Sequence, residues 1–111
     1  MSAKAKLDNE LRELARGAGP LGETIAQMNL GALSHAGLDE TTAIAARFGA
    51  LVAMDASPAS YLIHMTLADQ AGIPPETVKA ILATLAPLVG SARVVSAADK
   101  VLRAIELGDR L

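Results

Sequence analysis

Ser57-Pro58 on one side and Gly72-Ile73-Pro74-Pro75 on the other bracket the middle of the chain with a helix start and a helix stop. A serine can accept a hydrogen bond from the free amides of a first turn, and proline suits the first helical position. Glycine takes the left-handed conformation that closes a helix, and the prolines behind it block continuation. The spacing predicts a helix over 58–71. At about 100° per residue, Ser57, Ser60, Tyr61 and His64 fall on one stripe that continues into Ala68 and Ala71. The remaining faces carry Leu62, Ile63, Met65 and Leu67. A helix apolar nearly all round belongs inside a fold, so the rest of the chain has to wrap it.

The wrapping material is unusual. Hydrophobic residues make up 51% of the 111 positions and aromatic ones only 2%, so the core is expected to consist of aliphatic side chains and closely approaching alanine-lined helices. One domain of this length can bury a core, but a mean hydropathy of +0.34 is more than a small monomer readily hides. Self-association into a homo-oligomer is the expected remedy. The longest apolar run lies near 48–54, far short of the roughly 18 residues of a membrane span. The first eight residues lack the apolar block of a signal peptide, which predicts a cytoplasmic location. A net charge of -2, no basic run, one Phe and one Tyr argue against nucleic acid. There is no cysteine, which removes disulfides, thiolate metal sites and thiol catalysis together.

The punctuation predicts an all-α chain of about six helices with no strand. Residues 4–16 read as a surface helix with Leu7, Leu11 and Leu14 on one side, and Gly17-Ala18-Gly19-Pro20 ends it, giving an arm and linker over 1–20. The core, 21–111, begins with a helix over 21–36 whose inward stripe is Leu21, Ile25, Met28 and Ala32. Asp39 caps the next, Glu40–Met54, and Asp55-Ala56 turns into the central helix. The pair Glu40–Met54 and 58–71 is expected to lie antiparallel at the centre. A fifth helix runs from Pro75-Glu76 to about 89, perturbed by Pro87, which removes a backbone donor. Gly90 stops it and Ser91 is expected to cap the last helix, to about 107.

His64 is the first candidate for chemistry, because imidazole titrates near neutrality and a His beside hydroxyls can move a proton. The competing expectation is a buried neutral ring bonded to Ser60 and to a backbone carbonyl. Ser60, one turn earlier, can orient the ring or bind a substrate oxygen. A serine hydrolase is disfavoured, since no third residue is in place to orient the base. Arg47 stands in an apolar setting where a guanidinium is costly unless paired. It is read either as a clamp for a substrate carboxylate or as a packed stem whose head reaches solvent or Asp55. Tyr61 shares the His64 face and can donate a hydrogen bond or simply pack. Arg93, in a first turn where positive charge opposes the dipole, either meets an acidic partner or is solvated. Glu76 in a first turn and His35 in a last turn suit the helix dipole. Two histidines far apart, without neighbouring carboxylates, predict no metal site, and nothing in the sequence calls for a cofactor.

The central stretch resembles the carboxymuconolactone decarboxylase family. Its alkylhydroperoxidase D branch carries Cys-x-x-Cys, three residues, then His, and a Gly eight positions beyond. His64 and Gly72 keep that spacing, while Ser57 and Ser60 stand at the cysteine positions. The likeness continues through Ala71-Gly72-Ile73-Pro74-Pro75-Glu76-Thr77-Val78, through Leu88-Val89-Gly90-Ser91-Ala92-Arg93, and upstream through Ser34-His35-Ala36-Gly37-Leu38-Asp39, spanning about 34–107. It implies one domain over 1–111 with an alkylhydroperoxidase D-like helical bundle, assembled as a homo-oligomer.

Thiol peroxidase chemistry is excluded, because a hydroxyl forms neither sulfenic acid nor disulfide. The branch's relay Glu, twelve positions before its first cysteine, corresponds here to Ala45. Two functions follow. One is a thiol-independent decarboxylase or related lyase in which His64 and Ser60 act on a small carboxylated lactone or acid held by Arg47, Ser57 and Tyr61. The other is a non-catalytic oligomeric scaffold or small-molecule-binding protein.

Overall fold

The computed structural model describes residues 2–109, apart from the side chains of Leu30 and Leu33. Met1, Arg110 and Leu111, the ends of the domain expected over 1–111, lie outside the described residues. The described chain is all-helical: α1 (Ala3–Ala15), α2 (Gly19–His35), α3 (Glu40–Met54), α4 (Pro58–Gln70), α5 (Glu76–Val89) and α6 (Ser91–Asp109). Gly90 alone separates α5 from α6, so these two form one joined stretch and the described residues make five such stretches, against the expected total of about six helices. At φ 92° and ψ 155° Gly90 occupies backbone space that a side chain disfavours, and this lets the helical path turn within one residue. Ser91 does not act as the expected cap. It lies inside α6, and the carbonyl of Gly90 accepts from Val94 N–H at 3.3 Å.

The chain divides into two compact units, Met1–Gly37 and Leu38–Leu111. In the first, Ser2 caps α1 by accepting from the Ala5 amide at 3.1 Å, and α2, grouped with the core in the sequence reading, packs on α1. The approach is close at Gly22, where a Cβ would stand 2.8 Å from the carbonyl of Gly17. The stripe expected to face inward from α2 does not: Leu21, Ile25 and Met28 are all exposed.

The second unit is built from α3 to α6. Asp39 caps α3 as the sequence indicates, its Oδ1 accepting from the Thr42 amide at 2.9 Å and its Oδ2 from the Thr42 hydroxyl at 2.8 Å. These bonds hold the Asp39 carboxyl below its ordinary range. α3 buries Ala43, Ile44, Phe48 and Val52 against α4, whose buried face is Ala59, Tyr61, His64, Leu67 and Ala68. α6 closes the core with Ala97, Val101 and Ala104, small residues that let the helix approach α4.

The two turns flanking the core use the same chemistry. Asp55 takes the left-handed conformation at φ 54°, with amide bonds from Asp55 to Val52 and from Ala56 to Leu51. Gly72, at φ 74°, ends α4 with bonds from Gly72 to Asp69 and from Ile73 to Ala68. Aspartate tolerates that conformation better than most side chains, and here it is tied down from α6. Its Oδ1 accepts from Lys100 Nζ at 2.7 Å and from the Ser96 hydroxyl at 2.9 Å, while Arg93 Nη1 donates to the Ala53 carbonyl at 2.7 Å. Arg93 therefore meets the carbonyl end of α3, where its charge suits the negative end of that helix and also favours the ionised Asp55 carboxylate. Lys100 and Ser96 hold the Asp55 carboxyl below its ordinary range.

Candidate functional site

α3 and α4 bring His64, Arg47, Phe48 and Tyr61 together. His64 follows Ser60 by one turn, and its Nδ1 lies 2.9 Å from the Ser60 carbonyl oxygen. Across the helix pair, Arg47 Nη1 lies 3.3 Å from His64 Nε2. A carbonyl only accepts and a guanidinium only donates, so one tautomer satisfies both neighbours: Nδ1–H donates to Ser60, and the Nε2 lone pair receives Arg47. The ring is 8% exposed and meets Phe48 edge-on, with centroids 6.3 Å apart and planes at 76°. Burial lowers its pKa below the ordinary value, the bond to Ser60 opposes that shift, and the nearby Arg47 charge adds to it. The imidazole is thus a neutral group engaged at both nitrogens.

The hydroxyls lie beside this bridge without entering it. Ser57 stands at the start of α4, but its side chain makes no capping bond and Oγ sits 3.4 Å from Ser60 Oγ. The first turn is closed by main chain, the Ser57 carbonyl accepting from the Ser60 and Tyr61 amides, so the expected hydroxyl cap is absent. Ser60 orients His64 through its carbonyl and not through its hydroxyl.

Tyr61 is wholly buried, 6.1 Å from Phe48 between ring centroids, and its hydroxyl has no hydrogen-bond partner among the described residues. Burial and the charge of Asp55 raise its pKa, which keeps the phenol neutral. A substrate donor needs access to its substrate, and this hydroxyl has none. An unsatisfied buried hydroxyl carries a desolvation cost, so Tyr61→Phe is expected to raise stability by about 1 kcal/mol. Urea unfolding of the two proteins checks this; a loss of stability would mean that the hydroxyl has a partner.

Sequence reasoning did not find the second feature of this unit. A half-open cavity of about 640 Å³ lies where the end of α4, the start of α5 and the second half of α6 diverge. Met65, Ile73, Val78, Leu82, Leu102 and Ile105 give it an apolar wall, and its polar members are Thr66, Asp69 and Lys79. None of His64, Ser60, Arg47, Ser57 and Tyr61 lines it. The only sequence signal was apolar excess: on α6, Ala98, Leu102 and Ile105 extend an apolar arc beyond the buried stripe of Ala97, Val101 and Ala104.

Among the described residues no group of three or more His, Asp or Glu side chains is placed to hold a metal ion, and no helix is long and apolar enough to cross a membrane. Compared with known proteins, the chain matches no family model, no characterised protein and no solved structure.

Proposed function

We propose that this protein binds a small molecule without transforming it, as a self-associating helical module of the carboxymuconolactone decarboxylase type that has lost the thiol chemistry. The observation carrying this reading is the engagement of His64 at both nitrogens. A general base needs a free lone pair, and a general acid needs a proton to give at working pH. His64 offers its lone pair to Arg47, and burial disfavours the charged ring. Its role is to bridge α3 and α4.

The apolar cavity is of a size that small-molecule sites commonly have. Self-association belongs to the same reading, because Met54, Leu88, Val95 and Leu102 are each more than 60% exposed. So does the cytoplasmic location expected from the sequence.

One observation favours the lyase reading as an alternative. Arg47 meets Nε2, and a substrate carboxylate taking the guanidinium would release that lone pair. His64 would then take up a solvent proton on Nε2 and deliver it to the carbanion left as carbon dioxide departs.

Incubation with carboxylated γ-lactones, followed for carbon dioxide release, separates the two. The binding reading expects no release above the uncatalysed rate. Release that both His64→Gln and Arg47→Met abolish, with the oligomer intact, would establish the alternative.

A further inference from the structure

We propose that the cavity between α4, α5 and α6 takes a free aliphatic ammonium molecule, its hydrocarbon body against the apolar wall and its cationic head at Asp69. The inference rests on the binding reading above and names the ligand class for it.

Ile73, Val78, Leu82, Leu102 and Ile105 offer aliphatic surface without an aromatic ring among the lining residues, which suits a flexible hydrocarbon better than a stacked planar one. The polar members decide the head group. Thr66 donates its hydroxyl proton to the Leu62 carbonyl at 2.9 Å, so its oxygen faces a ligand only as an acceptor. Lys79 is compensated within its own helix, its Nζ 3.3 Å from Glu76 Oε2. Asp69 has no such compensation: no hydrogen bond or ion pair to its carboxylate is found among the described residues. It stands in the last turn of α4, where negative charge opposes the helix dipole, and its placement is unfavourable until a cation arrives.

The opposite choice, an anionic head at the start of α5, finds fewer donors than a helix start usually offers. Pro74 and Pro75 have no N–H, and the amides of Thr77 and Val78 are already given to the Pro74 and Pro75 carbonyls at 3.0 and 3.1 Å. The cavity thus presents one uncompensated carboxylate and one hydroxyl acceptor, and its one cationic side chain, Lys79, already faces Glu76. Charge complementarity selects a cation.

Octylammonium chloride, sodium octanoate and octanol, matched in chain length, provide the test. Each is titrated into the full chain at low ionic strength while the amide NMR signals of Met65–Val78 and Ala98–Ile105 are followed. Octylammonium is expected to bind about tenfold more tightly than octanoate, a gap that combines attraction of one head and repulsion of the other by a partly exposed charge. Asp69→Asn, which keeps the shape and relieves the dipole conflict, is expected to bring the two within about twofold while octanol is unchanged. Octanoate binding as tightly as octylammonium, or a preference that survives Asp69→Asn, would overturn the ammonium proposal while leaving a binding cavity in place. If none of the three moves these signals, the binding reading itself fails. Signals that move with protein concentration alone would assign the cavity to a second copy and overturn the proposal.

Discussion

Phe48→Ala is expected to lower the stability of the second unit by about 3–5 kcal/mol, the largest single effect in the molecule. Phe48 is 1% exposed and is the only phenylalanine in the chain. It touches both Tyr61 and His64, so its removal opens a cavity at the α3–α4 junction that the neighbouring helices cannot easily fill. The surrounding core is made of Ala, Val, Ile and Leu, with few long side chains able to swing inward. For a domain of this size such a loss is a large fraction of total stability. Thermal and urea unfolding at several protein concentrations check it, because self-association would couple to the midpoint. A loss below about 1 kcal/mol would mean that Phe48 is not the centre of this core.

His64→Ala is expected to cost about 2–4 kcal/mol. The substitution removes the edge-on contact with Phe48 and one hydrogen bond to a part-buried guanidinium, and a hydrogen bond to a charged group contributes more than a neutral one. A residue kept for catalysis at the expense of stability would behave in the opposite way, and its alanine variant would be as stable as the parent or more so.

The pH dependence carries the same information. The folded protein holds His64 below its ordinary pKa of 6.5, so between the folded and unfolded values the unfolded chain binds more protons. Its contribution to stability is complete above about 6.5 and is lost as pH falls through the lower folded value. His64→Gln is expected to flatten that part of the profile. The losses linked to Asp39 and Asp55 are separate, since hydrogen bonds hold both carboxyls below the ordinary carboxylate range.

The parts of this structure that were legible in the sequence are local. Asp39 caps α3 and Gly72 closes α4 because both signals act within one helical turn and need no knowledge of neighbours. The burial of α4 followed from its apolar circumference; of the ring expected to bond Ser60 and a backbone carbonyl, the burial and the carbonyl bond are found, while the second nitrogen meets Arg47 in place of the Ser60 hydroxyl.

What escaped depends on residues far apart. The bonds from Ser96 and Lys100 to Asp55 and from Arg93 to Ala53 span 40 to 45 positions, and nothing in the local pattern pairs them. Arg47 and His64 are 17 apart on two helices, and only their crossing decides that the guanidinium meets Nε2. Ser57 misled because cap position and cap bond are separate things: the backbone took the position and the hydroxyl turned to Ser60. The α2 stripe of Leu21, Ile25 and Met28 misled because an apolar face predicts burial without specifying what does the burying.

The central claim is that His64 is a neutral ring held at both nitrogens by its own protein. Long-range nitrogen–proton correlation NMR of the imidazole, followed from pH 8 downward, reads its tautomer and its titration together. The account predicts the Nδ1–H tautomer and a midpoint below 6.5, with Arg47→Met moving that midpoint upward by removing a neighbouring positive charge. A midpoint at or above 6.5, or a proton resident on Nε2 at neutral pH, would contradict it and return His64 to the role of an available acid or base.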